Sequence, residues 1–292
     1  MTKVLILGAT GMLGHKLYQV LDYVFDVAGT IRSSYKDISK YGIFNESSII
    51  PGVDALDISL VEKAIEETNP GVLVNCAGIV KALVEKEGVL STMQLNSLLP
   101  HQLHQICRKR DIRLIQVSTD CVFSGSKGNY KEDDPSDAED IYGKTKYLGE
   151  VSSADALTIR TSIIGRELVS SNGLVEWFLS NRGGEVQGYT NAIFSGFPTL
   201  HLSRIIADII ENHGQLSGIY HVSSEPISKF ELINLINRVM GLNIKVKEYP
   251  DYYVDRSLDS SLYREKTGFA PPSWEQMVEE LASDATQYVN WR

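Results

Sequence analysis

Val4-Leu5-Ile6-Leu7-Gly8-Ala9-Thr10-Gly11-Met12-Leu13-Gly14 sets the architecture of this chain. Four consecutive apolar residues make a buried strand, and Leu13, Leu17, Val20 and Leu21 then recur at helical spacing. A strand, a glycine turn and a helix in immediate succession form a loop that cradles a pyrophosphate. Each glycine has a task in it. Gly8 permits the turn out of the strand, Gly11 lets a phosphate approach the backbone, and Gly14 lets helix and sheet pack closely. The unsatisfied N–H groups at the helix start add a positive partial charge that favours an anion.

The pattern continues in both types of element. Strands are predicted over residues 24–31, 72–74, 112–117 and 157–159. Helices are predicted from Leu60 after the cap Ser59, over 90–109 and over 142–153, and Asn69-Pro70-Gly71 stops the first of these. Regular alternation implies an α/β fold: a Rossmann-type parallel sheet with helices on both faces and a smaller C-terminal substrate-binding lobe. The regularity breaks after Ser162, where Gly165, Gly173, Gly183, Gly184, Gly188 and Gly196 mark loops. Further helices are predicted over 174–179, 202–211 and 229–240, the last opened by Ser228 with Glu231 in the capping-box position. His221-Val222 ends a returning strand, and a final helix starts near Trp274. Residues 1–164 are therefore expected to bind a dinucleotide and carry the catalytic groups. Residues 165–292 are expected to form mainly the substrate-binding lobe, with some segments returning to the main body.

Lysine plus arginine number 28 against 37 aspartates plus glutamates, and the resulting charge of -9 argues against a nucleic-acid partner. The first apolar run is too short for a secretory core. No segment approaches the roughly 18–20 apolar residues of a membrane span. A cytoplasmic location is expected, with no membrane partner. Cys76, Cys107 and Cys121 are scattered and odd in number, matching neither a disulfide framework nor a metal cluster. His201 and His221 lack ligand spacing, so no metal site is predicted.

Tyr142-Gly143-Lys144-Thr145-Lys146 places a phenol and an ammonium one helical turn apart on a shared face. A phenol titrates near about 10, and a neighbouring ammonium lowers that value. Such a pair can give a proton to an oxyanion. The strand over 112–117 leads into Ser118-Thr119-Asp120-Cys121, at the sheet edge where open α/β folds place their chemistry. A Thr119 hydroxyl there can polarise a carbonyl and share its developing charge. Asn96 lies in the preceding helix, where a polar residue can be satisfied locally.

The Gly-x-x-Gly-x-x-Gly spacing resembles the extended short-chain dehydrogenase/reductases, particularly their nucleotide-sugar branch. Residues 118–125, Tyr130-Lys131-Glu132, Pro135 and the run from Tyr142 to Glu150 together resemble the dTDP-4-dehydrorhamnose reductase family. The likeness is strong through about Gly165 and looser beyond. It implies a catalytic set of Thr119, Tyr142 and Lys146, with Ser118 one place early, and an Asn96 that bends its helix or holds water in a proton relay. It implies cofactor contacts from Gly8, Thr10, Gly11, Met12, Leu13, Gly14, Arg32, Asp57, Ile58, Cys76, Ala77 and Gly78, joined by Tyr142 and Lys146. Asp57 would meet the adenine amino group or merely start a helix. Asp26 comes too early to hold a ribose hydroxyl. Arg32 with Ser33 or Ser34 would receive a 2′-phosphate, favouring NADPH while leaving NADH open.

Substrate contacts are implied at Thr119, Asp120, Cys121, Trp177, Ser195 and Arg256, with Arg166 and Asn172 as further polar candidates. Arg160 would approach the nicotinamide amide or serve in an internal ion pair. Two departures bear on the substrate. Cys121 stands where many members have tyrosine, and residues 188–199 resemble a polysaccharide-associated subgroup whose sugar is UDP-linked and N-acetylated. The implied reaction is NAD(P)H-dependent reduction of the C4 keto group of a nucleotide-activated 4-keto-6-deoxyhexose. The partner is a nucleotide-diphosphate sugar, and a homodimer stays open. Two alternatives accompany it: an epimerase with non-consumed NAD(P), and a noncatalytic NADP-binding subunit like the related methionine adenosyltransferase regulatory subunit. Asp120-Cys121 in place of an Asp-Glu pair disfavours dehydration.

Overall fold

Along β1 (Lys3–Leu7) the side chains alternate between two cores: Val4 and Ile6 enter one apolar cluster, Leu5 and Leu7 another. That alternation is what a strand covered on both faces requires. The computed structural model describes residues 2–286 and Tyr288. After β1 come α1 (Met12–Leu21), β2 (Asp26–Thr30), β3 (Ile49–Ile50), α2 (Ile58–Thr68), β4 (Val72–Asn75), α3 (Leu99–Lys109), β5 (Arg113–Val117), α4 (Ile141–Leu148) and β6 (Ala156–Arg160). Next are α5 (Leu174–Ser180), β7 (Glu185–Tyr189), β8 (Ala192–Phe194), α6 (Thr199–Asn212), β9 (Gly218–His221), β10 (Ile227–Ser228) and α7 (Lys229–Met240). The remaining labelled elements are β11 (Lys245–Tyr249), β12 (Val254–Asp255), α8 (Ser261–Thr267) and α9 (Trp274–Ala282).

Seven strands pair in the order β9-β6-β5-β4-β1-β2-β3, every neighbour parallel. The order reverses between β1 and β4, so the carboxyl ends of these two strands frame a crevice. Leu13, Leu17 and Leu21 of α1 and Leu202, Ile206 and Ile209 of α6 cover one face. Val61 and Ile65 of α2, with Leu99 and Leu103 of α3, cover the other. Each such fully buried side chain contributes about 1.5–3 kcal/mol. Among the described residues, no helix is long and apolar enough to cross a membrane.

The C-terminal half shares this core. Phe178, Leu232 and Met277 belong to the same cluster as Val4 and Leu17, and β9 returns to extend the main sheet. The Ser228–Glu231 capping box forms in full, with Glu231 N donating to Ser228 Oγ at 3.1 Å. Other boundaries differ from the periodicity. The helix expected over 142–153 stops at Leu148, because Gly149 packs so tightly on the Asn96 carbonyl that a Cβ would collide with it. The span 90–109 is interrupted by a π turn at Gln94–Leu98 that contains Asn96. Asp57, not Ser59, caps α2, its carboxylate accepting from Ser59 N at 3.0 Å. β7 and β11 form a parallel pair that the sequence pattern does not signal.

Candidate active site

Gly8 leaves β1 with φ +85°, a left-handed conformation that favours glycine. A Cβ on Gly14 would collide with the Gly8 carbonyl, so only glycine lets α1 start this close to β1. Gly8, Thr10 and Gly11 line a cleft whose other walls are Arg32 beyond β2 and Cys76, Ala77 and Gly78 beyond β4. Asn75 shapes that last turn, its Oδ1 accepting from Ala77 N at 3.0 Å. From behind, His15 Nδ1 lies 2.8 Å from the Gly11 carbonyl and its Nε2 lies 2.8 Å from the Tyr288 hydroxyl, so the chain's tail braces the glycine turn.

The other expected cofactor residues are placed differently with respect to this cleft. The Leu13 side chain is buried in the core, leaving only its backbone available to a ligand. Met12 sits at the first turn of α1 with its Cε against Gly173. Asp57 and Ile58 are not among the residues that line the cleft, and Asp57 caps α2; the acids that line it are Asp54 and Glu87. Arg32 is exposed and makes no ion pair or hydrogen bond among the described residues. Ser34 is committed to its own helix turn, its Oγ donating to Asp37 Oδ2 at 2.8 Å.

Beyond β5, the Thr119 hydroxyl accepts from Cys121 N at 3.1 Å and donates to Asp120 Oδ1 at 3.1 Å, ordering the turn Asp120–Val122. Asp140 caps α4 by accepting from Gly143 N at 2.8 Å. A Cβ on Gly143 would strike the Cys121 carbonyl, so the first turn of α4 is pressed against the Thr119 turn. Tyr142 is thereby brought within reach of the Thr119 hydroxyl. One turn on, buried Lys146 donates from Nζ to the Val117 carbonyl at 2.7 Å. Asn96 holds the loop beyond β4, its Oδ1 accepting from Ile79 N at 2.8 Å and its Nδ2 donating to Ile79 O at 2.9 Å. The three sequence-predicted catalytic residues thus converge on one sheet edge.

Their electrostatics differ from the simplest expectation. Desolvation, reinforced by the Cys121 thiol, pushes the Tyr142 phenol above its ordinary value, and the nearby Thr119 hydroxyl opposes it. Burial outweighs any help from Lys146, whose amine is engaged by Val117, so the phenol keeps its proton at neutral pH. Burial also lowers Lys146 to about 8, against the attraction of Glu150. Lys146 is therefore charged below about pH 8 and neutral above it. If the working form needs that ammonium, kcat/KM should be flat through neutrality and fall about tenfold per pH unit above about 8. A profile level well beyond that pH, recorded with correction for cofactor stability, would remove Lys146 from the working form.

The remaining candidates separate clearly. Ser118 donates to Glu150 Oε1 at 2.7 Å and is structural. Arg160 is an internal partner, both of its bonds to Glu150 measuring 2.8 Å. Ser195 is buried, and its Oγ accepts from Leu258 N at 3.1 Å, tying two segments of the lobe together. Arg166 is held by Glu176 at 2.7 Å, Asn172 is exposed, and Trp177 leaves 41% of its surface exposed on α5. His201 lies 3.4 Å from Glu280, and His221 Nδ1 lies 3.0 Å from the Tyr130 carbonyl. Asp120 is buried with its carboxyl pushed up by desolvation against the pull of Arg256, and Arg256 Nε donates to the Phe123 carbonyl at 2.7 Å. Lys229, which the sequence pattern does not single out, is the first residue of α7 and interacts with Asp120 and Cys121.

Such a sheet, with hydroxyl, phenol and amine gathered at its carboxyl edge, defines the extended short-chain dehydrogenase/reductase class. Within it, the chain belongs to the RmlD substrate binding domain family, whose model matches residues 1–287. The dTDP-4-dehydrorhamnose reductase of Streptomyces griseus is 32% identical over 154 residues, which cover 52% of this chain and 45% of that enzyme. The chain therefore spans less than half the length of that relative. A solved structure of a hypothetical dTDP-4-dehydrorhamnose reductase from Sulfolobus tokodaii has a TM-score of 0.76 at 28% identity, covering 94% of this chain and 98% of that one. The dTDP-4-dehydrorhamnose reductase of Bacillus anthracis, solved in complex with NADP, shares the fold with a TM-score of 0.79 at 24% identity, covering 98% and 100%.

Proposed function

We propose that this protein reduces the C4 keto group of a nucleotide-activated 4-keto-6-deoxyhexose, using a nicotinamide cofactor with NADPH preferred over NADH. The observation that carries this reading is the convergence of Thr119, Tyr142 and Lys146 on the sheet edge next to the glycine-turn cleft. The reductase names of the Streptomyces griseus and Sulfolobus tokodaii relatives support the reaction, and the NADP in the Bacillus anthracis structure supports the cofactor class. The glycine turn, the small residues Ala77 and Gly78 and the unpaired Arg32 fit a dinucleotide with an added phosphate. Residues 1–164 carry most of that cofactor site, and residues 165–292 contribute mainly to the substrate side.

A bound reduced nicotinamide supplies the hydride. Thr119 hydrogen-bonds the carbonyl oxygen as negative charge develops on it. Tyr142, kept protonated by burial, passes its phenolic proton to that oxygen. Lys146 leaves the Val117 carbonyl to balance the phenolate that results. The resemblance of residues 188–199 extends the substrate range to a UDP-linked, N-acetylated sugar.

The test follows NADPH absorbance with dTDP- and UDP-linked 4-keto-6-deoxyhexoses, N-acetylated forms included, and NADH in parallel. Substrate-dependent NADPH loss with stoichiometric alcohol is expected, at lower KM for NADPH than for NADH. No loss across intact substrates, with folded protein that binds NADPH, would move an epimerase or a regulatory binding subunit to the front.

A further inference from the structure

The steps above leave unused a group of basic side chains on the far side of Thr119. Lys229 opens α7, and its side chain is partly buried. It nevertheless makes no hydrogen bond or ion pair among the described residues. An ammonium removed from water without a partner is costly, and the usual remedy is an anion. Its place follows from a small sheet. β10 pairs antiparallel with β8, Ser228 opposite Ile193, and delivers Lys229; β12 pairs parallel with the other edge of β8, Asp255 opposite Ile193, and delivers Arg256.

Both cations are thereby aimed at one turn. Arg256 spends only Nε on the Phe123 carbonyl, and its two terminal nitrogens have no partner among the described residues. Lys229 faces Asp120 and Cys121, with Arg256 and Lys81 beside it. Lys81 is already paired with Asp140 at 2.6 Å. Asp120 interacts with both Lys229 and Arg256 and is buried against Thr119 and Cys121, while Asp140, which also feels Arg256, is held by Lys81. On a chain of formal charge -9, a basic cluster of this kind is a local feature with a local purpose. It lies immediately beyond the hydroxyl that is to meet the sugar carbonyl.

We propose that Lys229 and Arg256 form the subsite for the substrate's diphosphate, with Lys229 as the residue that sets how far the sugar reaches toward Thr119. This rests on the nucleotide-sugar reading above. A purely structural Lys229 would only offset the Asp120 charge and would leave nucleotide binding unchanged.

The experiment is calorimetric titration of the full chain with UDP, UMP and uridine, and with dTDP, dTMP and thymidine, for wild type, Lys229→Ala and Lys229→Arg. NADPH is titrated into the same preparations as a check on folding. The diphosphates should bind more tightly than the nucleosides. Lys229→Ala should weaken UDP or dTDP binding on the order of 10–100-fold, the value of a lost charged hydrogen bond, and leave the nucleosides untouched. Lys229→Arg should restore most of the diphosphate affinity. Should the alanine variant lose NADPH binding as well, Lys229→Gln keeps the stem without the charge and should show the same selective loss. Unchanged diphosphate binding in a folded, uncharged variant overturns the proposal, as does an equal loss for diphosphate and nucleoside. Tight, Lys229-dependent diphosphate binding without sugar reduction would leave the subsite standing and sink the reductase reading. Sugar reduction with binding indifferent to Lys229 would do the reverse.

Discussion

Tyr142→Phe is expected to cut kcat on the order of 10²–10⁴-fold, the span that a positioned proton donor contributes. The ring would stay in place at the start of α4, where Gly143 presses the helix against the Cys121 carbonyl. Only the hydroxyl would go, and with it the proton that burial now keeps on the phenol. Thr119 would keep its bond to Asp120 at 3.1 Å. Titration with NADPH should therefore be little changed while single-turnover reduction collapses. Lys146 would then have no phenolate to balance. Lys146→Met combined with Tyr142→Phe should therefore add little to the loss of chemistry, whereas alone it should impair both turnover and NADPH binding. Additive losses from the two substitutions would mean that phenol and amine act separately. Normal turnover of the single Tyr142→Phe variant would exclude the phenol as donor.

How much of this is legible in the sequence depends on how local each cause is. The glycine turn is a local device: strand, turn and helix are contiguous, and the reason for Gly14 lies a short way back along the chain in the Gly8 carbonyl. The pairing of Tyr142 with Lys146 is equally local, fixed by helix geometry. Ser228 and Glu231 announce α7 because a capping box is complete within one turn. The end of α4 is not legible. Its last residue is decided by Gly149 meeting the Asn96 carbonyl, a contact between segments that nothing in the intervening sequence signals.

Charged and hydroxyl side chains are harder still, since type alone does not tell a ligand contact from an internal bond. Asp57 stands where an adenine-binding acid is expected, and the same position is ideal for capping α2. Ser195 sits in a glycine-rich stretch suggestive of a ligand loop, yet its hydroxyl is spent on Leu258 N. Lys229 reads as an ordinary first-turn helix residue. Only the pairing of β10 and β12 on either edge of β8 brings it beside Arg256 and Asp120. The phenol's protonation escapes the spacing for a related reason. Spacing shows that an amine is near, but it cannot show that the amine donates to Val117 or that burial dominates.

The largest expected loss of stability comes from a residue outside the chemistry. Glu150 and Arg160 are each 3% exposed, joined by two bonds of 2.8 Å, with Ser118 adding a third to the same carboxylate. Glu150→Ala would strand the Arg160 guanidinium in the interior, at a cost of about 3–5 kcal/mol. Urea denaturation should show that loss for Glu150→Ala and a similar one for Arg160→Met. Combining Glu150→Leu with Arg160→Met should recover most of it, because two apolar side chains of similar volume need no counter-charge. A double variant as unstable as the sum of the singles would mean that the pair's bonds to the Glu132 carbonyl and His221, not its mutual charge, hold the region. The carboxylate also reaches the active site: its attraction is what keeps the Lys146 value from falling further. Glu150→Gln should therefore move the alkaline limb of kcat/KM below about 8, a shift in the opposite direction from any change that exposes Lys146 to water. A buried ion pair that joins the segment after α4 to the end of β6, and through Ser118 to the end of β5, then does two things, fixing the edge that carries Thr119 and setting the pH at which the neighbouring lysine loses its charge.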